Sequence, residues 1–217
     1  AFSSAFFLYG IAMVYGATGS TSLIGIRTFL TENTLLDDTL LMAGFAMLLV
    51  GFGFKVAAVP FHSWTPDVYQ GSPSPVVAYM ASGVKAAGFA GLLRVFFLTF
   101  GPERAEWQPL VYALAVATLL AGAVLAVVQT DVKRMMAYSS ISHAGFILVG
   151  VQAATNEGTS ASLFYLAAYT FMVAGSFAVI TVAGRQGERC TSLEDFRGLA
   201  SSQPMLAAAF TIMLLAQ

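Results

Sequence analysis

Residues 51–67 read Gly51-Phe-Gly-Phe-Lys-Val-Ala-Ala-Val-Pro-Phe-His-Ser-Trp-Thr-Pro-Asp67. An uncharged apolar run precedes Lys55, and Pro60 follows it. Because proline has no backbone donor, a carbonyl about one turn earlier, near Val56, loses its helical partner. The stretch therefore predicts a discontinuous helix near Lys55–Pro60. Irregular backbone at membrane depth implies a cavity that is lined by protein or filled with water.

The composition around this stretch is that of a membrane protein. Of 217 residues, 58% are hydrophobic and only 10% are charged, against about 25% charged residues in soluble domains. So few charges cannot cover a soluble surface, which argues against a soluble enzyme, a nucleic-acid-binding protein and a disordered chain. The net charge of −1 offers no basic surface to a polyanion. The single cysteine excludes an internal disulfide framework and a cysteine zinc cluster.

The positions of the charges divide the chain into apolar segments. Each uncharged stretch is about as long as a membrane span, roughly 20 residues. The uncharged stretches are 1–26, 107–130, 135–156, 158–184 and 198–217. Two further apolar stretches each contain one lysine. We predict seven helical segments at about 2–18, 39–59, 73–98, 108–129, 133–153, 159–184 and 204–217. The expected fold is an all-α, polytopic transmembrane helical bundle that forms a single domain over residues 1–217.

The connections between the segments indicate orientation. The side on which residue 1 lies receives five basic residues: Lys133, Arg134, Arg185, Arg189 and Arg197. The opposite side receives three: Arg27, Arg94 and Arg104. This excess predicts that the first side is cytoplasmic. Residues 20–36 are either a short interfacial helix or an ordinary loop. The same two alternatives hold for residues 192–200, where Thr191 and Glu194 have the spacing of a capping box.

Two lysines lie inside predicted spans. A lysine at the centre of a span costs roughly 2.5–3.5 kcal/mol on insertion scales, so it needs a partner or a use. Lys55 lies beside the predicted break, whereas Lys85 lies among small residues one turn after Ser82. Both lysines are candidates for proton transfer. The alternatives are snorkelling to the interface, which is easier for Lys55 than for Lys85, and a static ion pair.

A histidine is the third candidate for proton transfer. His143 follows Ser139, Ser140 and Ser142 in one apolar segment, so that hydroxyls and imidazole can share a helix face. Histidine can pass a proton because its two nitrogens exchange roles near neutral pH. The alternative is an ordinary buried histidine with satisfied hydrogen bonds.

Together, Lys55, Lys85 and His143 indicate a proton path rather than an active site. The supporting groups would be Pro60 at the break and the hydroxyls of Ser82, Ser139 and Ser142. We expect no catalytic, cofactor-binding or metal-binding residues, because phosphate-binding and nucleophile motifs do not occur and the two histidines lie far apart. His62, Trp64 and Asp67 are interpreted mostly as interface anchors and turn residues.

Two long blocks carry a family resemblance. Residues 54–76 (Phe-Lys-Val-Ala-Ala-Val-Pro-Phe-His-Ser-Trp-Thr-Pro-Asp-Val-Tyr-Gln-Gly-Ser-Pro-Ser-Pro-Val) and residues 131–145 (Asp-Val-Lys-Arg-Met-Met-Ala-Tyr-Ser-Ser-Ile-Ser-His-Ala-Gly) resemble the antiporter-like membrane subunits of respiratory complex I, the proton-pumping NADH:quinone oxidoreductase. Thr65-Pro-Asp-Val-Tyr-Gln-Gly71, with a lysine at position 85, resembles the quinone-side member of that family.

The resemblance implies a longer protein of about fourteen spans, built from two inverted repeats that each contain a discontinuous helix. The chain begins and stops inside apolar runs, so we expect a fragment that is truncated at both ends. By resemblance, Lys55 is the central lysine of the family, Lys85 is the connecting lysine, and His143 lies between the half-channels. The glutamate partner of Lys55 would fall before Ala1, and a further lysine would fall after Gln217.

The expected function is proton translocation, coupled to quinone reduction elsewhere in a multi-subunit NADH:quinone oxidoreductase. No redox chemistry is expected in this chain; NADH, flavin, iron–sulfur clusters and quinone would bind to other subunits. The expected partners are other membrane-arm subunits, the lipid bilayer and protons, without nucleic acid. The expected location is the bacterial cytoplasmic (inner) membrane. The alternatives are a subunit of a multi-subunit sodium/proton antiporter and a non-transporting membrane scaffold.

Overall fold

A computed structural model describes residues 2–33, 38–184 and 191–216. Its helices are α1 (Phe2–Thr18), α2 (Leu23–Glu32), α3 (Thr39–Val56), α4 (Trp64–Gly71), α5 (Ser74–Tyr79), α6 (Lys85–Leu92), α7 (Arg104–Val127), α8 (Val132–Gln152), α9 (Asn156–Ala183), α10 (Leu199–Ser202) and α11 (Pro204–Ala216). Leu193–Phe196 forms a 3₁₀ turn. The described residues contain no β-strand, so the all-α prediction is confirmed.

All seven predicted segments are helices, with ends within a few residues of those expected. Helices α5 and α6 belong to one continuous helix, Ser74–Thr99, because the π-helical stretches Met80–Val84 and Leu93–Thr99 follow them without a gap.

The membrane character of these helices follows from their length and composition. Four are long and apolar enough to cross a membrane by themselves, namely Thr39–Val56, Ser74–Thr99, Arg104–Val127 and Asn156–Ala183. Helices α1 and α2 together qualify as a fifth, but they meet at a 44° bend. Helix α8 is less apolar than these because it bears Lys133, Ser140 and His143, all of which are buried. Helix α8 therefore brings buried polar side chains into an otherwise apolar bundle.

Helix α8 lies at the centre of the packing. It contacts α7 along most of its length, and α4 and α9 also pack against it. The contact with α7 is close because glycines face the neighbouring backbone. A methyl group at Gly122 would lie 2.5 Å from the Ser142 nitrogen, and one at Gly145 would lie 2.8 Å from the Leu119 nitrogen. This approach fixes α8 firmly against α7.

The end of α3 differs from the prediction. The helix ends at Val56 instead of continuing to about residue 59, because Ala57 takes the left-handed conformation with φ 61°. The amide of Ala58 then donates to the Gly53 carbonyl at 2.8 Å. Helix α4 begins at Trp64, so the predicted discontinuous helix is confirmed, with its break at residues 57–63.

The short elements correct one further expectation and confirm another. The capping box lies one residue later than predicted, since Ser192 and Asp195, not Thr191 and Glu194, form the reciprocal bonds. The Thr191 hydroxyl instead donates to the Asp131 carboxylate at 2.5 Å. Helix α2 confirms a short helix within residues 20–36. Arg185 and Arg189, which entered the orientation argument, lie outside the described residues.

Candidate functional site: two lysines near a broken helix

Side chains from two other parts of the chain hold the break between α3 and α4. The indole nitrogen of Trp64 donates to the Phe54 carbonyl at 3.2 Å, and the two rings stack with centroids 5.3 Å apart. On the other side, the Thr118 hydroxyl of α7 accepts the Val59 amide at 3.0 Å. Sequence reasoning treated Trp64 as an interface anchor, whereas it satisfies a carbonyl in the last turn of α3.

Lys55 lies immediately before the break, on an open side of the described structure. Its side chain is exposed and lines a mostly apolar cleft of about 440 Å³ between α1, α3 and the Ser74–Thr99 helix. The serine hydroxyls of Ser3 and Ser4 also line this cleft. A methyl group at Gly88 would lie 3.7 Å from the Lys55 Cβ, so Lys55 faces a residue one turn after Lys85.

Lys85 is buried, with only 3% of its surface exposed. Its Nζ donates to the Ser140 carbonyl at 2.6 Å and also to the Ser140 hydroxyl. The same Nζ lies 5.7 Å from the centre of the Tyr169 ring, whose face favours a cation. Within the described ranges, no carboxylate forms an ion pair with Lys85. In the described part of the chain, the Lys85 side chain is therefore buried and has no carboxylate partner.

His143 lies one turn after Ser140 and is buried on the same helix. Its Nδ1 is 2.7 Å from the Tyr165 hydroxyl. Its ring centroid lies 4.9 Å from that of Tyr169, so Tyr169 contacts both the histidine and Lys85. The structure thus brings Lys85 and His143 together around one aromatic ring.

Three predicted supporting hydroxyls do not contact these groups. The Ser82 hydroxyl donates to the Ala78 carbonyl of its own helix at 2.6 Å. In the part of the chain that the structure describes, neither Ser139 nor Ser142 hydrogen-bonds to Lys85 or His143. Ser142 instead packs its backbone against Gly122. Ser140, which lies between them in sequence, faces Lys85.

Sequence reasoning missed the two tyrosines of this site. Tyr165 and Tyr169 are four residues apart on α9, so they share the face that packs against α8. The sequence did contain a signal for them, because two tyrosines four residues apart in an apolar span place two hydroxyls on one helix face. The Tyr169 hydroxyl is buried and has no hydrogen-bond partner among the described residues. A polar atom in that state is a typical site for a bound water.

The first turn of α8 also binds α4. Lys133 was counted among the loop residues, but it is fully buried and donates to the Ser72 carbonyl at 2.9 Å. Arg134 forms a 2.6 Å ion pair with Asp67. Asp67 was interpreted as a turn residue, yet it connects the second half of the broken helix to α8.

A buried lysine, and a second lysine beside a discontinuous helix, within a polytopic helical bundle are features of an ion-translocating membrane protein. The whole chain, residues 1–217, matches the family described as NADH:quinone oxidoreductase/Mrp antiporter, TM. The chain belongs to this family, and it is an integral membrane protein.

Comparison with individual proteins gives the same family. The chain is 49% identical over 220 residues to NADH-quinone oxidoreductase subunit N of Mycobacterium bovis, covering 100% of this chain and 41% of that protein. The chain therefore spans about two fifths of the length of such curated relatives.

Two solved structures are similar to this one. A chain of respiratory complex I from Thermus thermophilus with bound Aureothin matches 99% of this chain and 44% of its own length, with 39% identity and a TM-score of 0.78. A chain of the Mrp complex from Dietzia sp. DQ12-45-1b matches 99% of this chain and 39% of its own length, with 25% identity and a TM-score of 0.87.

Proposed function

We propose that this chain is part of a proton-translocating membrane-arm subunit of an NADH:quinone oxidoreductase, the subunit N type. The observation that carries the proposal is the buried Lys85, bound to Ser140 and the Tyr169 ring without a carboxylate partner in the described residues. The likeness to subunit N supports this particular subunit. The bacterial relatives support a location in the bacterial inner membrane.

In this mechanism the chain moves charge and carries out no redox step. Lys55 exchanges protons with one aqueous side through the cleft and the broken helix. Lys85 and His143 then pass charge laterally, through Ser140 and water at the buried tyrosine hydroxyl. Energy comes from quinone reduction in other subunits, which bind NADH, flavin, iron–sulfur clusters and quinone. The further partners of the chain are the neighbouring membrane-arm subunits and lipid.

The energies of the site are adequate for this role. Moving one elementary charge across 100 mV costs about 2.3 kcal/mol. A hydrogen bond to a charged group contributes about 1.5–3 kcal/mol. Lys85 makes two such bonds to Ser140. Making or breaking one of these bonds is therefore comparable in energy to the work of moving a single charge.

The test replaces Lys85 in the full-length protein within the assembled complex. Lys85→Ala should lower coupled NADH oxidation and proton pumping in membrane vesicles by about a hundredfold or more, since proton transfer by a positioned group typically contributes about 10²–10⁴-fold. Arg94→Ala is the matched control, because it removes an exposed cation from the same helix. Normal turnover and normal proton stoichiometry in an assembled Lys85→Ala complex would instead favour a non-transporting scaffold.

The second candidate is a subunit of a sodium/proton antiporter, favoured by the likeness to the Mrp complex. The two functions differ in their source of energy. Vesicles that contain the full-length protein within its assembled complex should generate a proton gradient when NADH is added, and a sodium gradient alone should produce none. Sodium-driven proton movement without NADH would favour the antiporter.

A further inference from the structure

Thr118 lies in the middle of α7 and is completely buried. Its hydroxyl forms two hydrogen bonds of opposite sense. It accepts the amide of Val59, in the break between α3 and α4, at 3.0 Å. It donates to the Leu114 carbonyl of its own helix at 2.5 Å. One side chain of α7 is thereby joined to the backbone of the break.

The Val59 amide has no partner within its own segment. The helix has already ended at Val56, and the neighbouring amides of Ala58 and Phe61 donate to Gly53 and Ala58. Pro60 has no amide hydrogen to offer. An unpaired amide inside a membrane protein is costly, so the Thr118 hydroxyl is a strong determinant of the path of the break.

The same helix is fixed to the second group of candidate residues. Gly122 lies one turn after Thr118 and packs against the backbone of Ser142. Ser142 precedes His143, and Ser140 binds Lys85. The backbone beside Lys55 is therefore connected to the Lys85–His143 group through Thr118 and α7.

We propose that Thr118 is a positioning residue that holds the break, and with it Lys55, in register with Lys85 and His143. This inference rests on the proposed proton path through Lys55. The role requires one side-chain group that accepts a hydrogen bond from the Val59 amide and donates one to the Leu114 carbonyl. Serine meets that requirement, whereas valine has the shape of threonine and can do neither.

The experiment compares Thr118→Val and Thr118→Ser in the full-length protein within the assembled complex. Hydrogen–deuterium exchange of the peptide that contains Val59 is measured together with pumping and NADH oxidation in vesicles. Thr118→Val should speed exchange at the break about tenfold, as expected for one lost buried hydrogen bond. It should also lower the number of protons pumped per NADH oxidised, and Thr118→Ser should restore both. Thr181→Val is the control, because among the described residues the Thr181 hydroxyl donates only to the Phe177 carbonyl of its own helix.

Different results separate this inference from the proposed function. If Lys55→Ala lowers pumping but Thr118→Val matches Thr181→Val in exchange and stoichiometry, the role of Thr118 is wrong and the proton path stands. If Lys55→Ala pumps normally, the proton path itself is wrong. Should Thr118→Val not assemble, Thr118→Cys offers a weaker acceptor and should give intermediate exchange. If the peptide that contains Val59 exchanged in Thr118→Cys at the same rate as in the wild type, the inference would be overturned.

Discussion

Replacing Gly122 by alanine tests how closely α7 and α8 pack. The added Cβ would lie 2.5 Å from the Ser142 nitrogen and 2.8 Å from its Cα, where ordinary contacts begin near 3.4 Å. Both atoms belong to the backbone, so no side-chain rotation relieves the clash. The helices must separate by about 1 Å, and overpacking of this kind costs about 1–3 kcal/mol. Because the full-length protein is longer than the roughly 150–250 residues for which 1 kcal/mol corresponds to about 2–4 °C, its melting temperature should fall by no more than about 12 °C.

The assay is thermal unfolding of the full-length protein in detergent, followed by the loss of its monodisperse peak in size-exclusion chromatography after heating. Gly71→Ala is the matched control, since nothing lies within 4 Å of the added Cβ there. Alanine raises helix propensity by about 1 kcal/mol in a helix interior, which works against the expected loss at Gly122. A Gly122→Ala protein that melts at or above the Gly71→Ala protein would refute the close packing of the two helices.

Two further changes test the polar contacts at the start of α8. Asp131→Ala removes the carboxylate that caps the Arg134 amide and accepts from Thr191, so thermal unfolding should show a loss of about 1–2 kcal/mol. Asp38→Ala is its control, because Asp38 precedes α3 without a side-chain capping bond; equal losses would contradict the cap. Asp67→Asn breaks the ion pair with Arg134, but Asp67 is largely exposed. Its loss should therefore stay below about 1 kcal/mol and shrink further in high salt. A larger, salt-independent loss would show that the pair is buried in the assembled protein.

The sequence was sufficient to predict the helices because charge is so unevenly distributed along it. Most uncharged runs became one long helix each, although the first also holds the start of α2 and the last also holds α10, and even the break near Pro60 followed from local chemistry. The depth of Lys85 was predictable for the same reason, since it lies far from either end of an apolar run. These features depend on residues that are neighbours in sequence.

The partners of the buried groups were not predictable from local patterns. Ser82 was predicted to be a supporting hydroxyl, one turn before Lys85, but its hydroxyl bonds to its own helix and Ser140 of α8 supplies both acceptors for Lys85. Tyr165 approaches His143 across an interface that only the tertiary fold creates. Lys133 was counted with the loop near residues 130–134, yet it is buried and donates to the Ser72 carbonyl just after α4. Contacts between distant segments depend on helix rotation, which periodicity leaves open in spans that are apolar on every side.

The π-helical stretch Met80–Val84 has a consequence for how this site can change in evolution. A π turn accommodates one residue more than an α turn, so the extra residue is absorbed in a wider turn. Lys85 follows this stretch directly. Deleting one residue from positions 80–84 would restore a regular α-turn and leave the orientation of Lys85 toward Ser140 nearly unchanged, whereas the same deletion in a regular part of a helix would rotate the following residues by about 100°. This stretch is therefore the part of the helix where a change in length by one residue least disturbs the contact of Lys85 with Ser140.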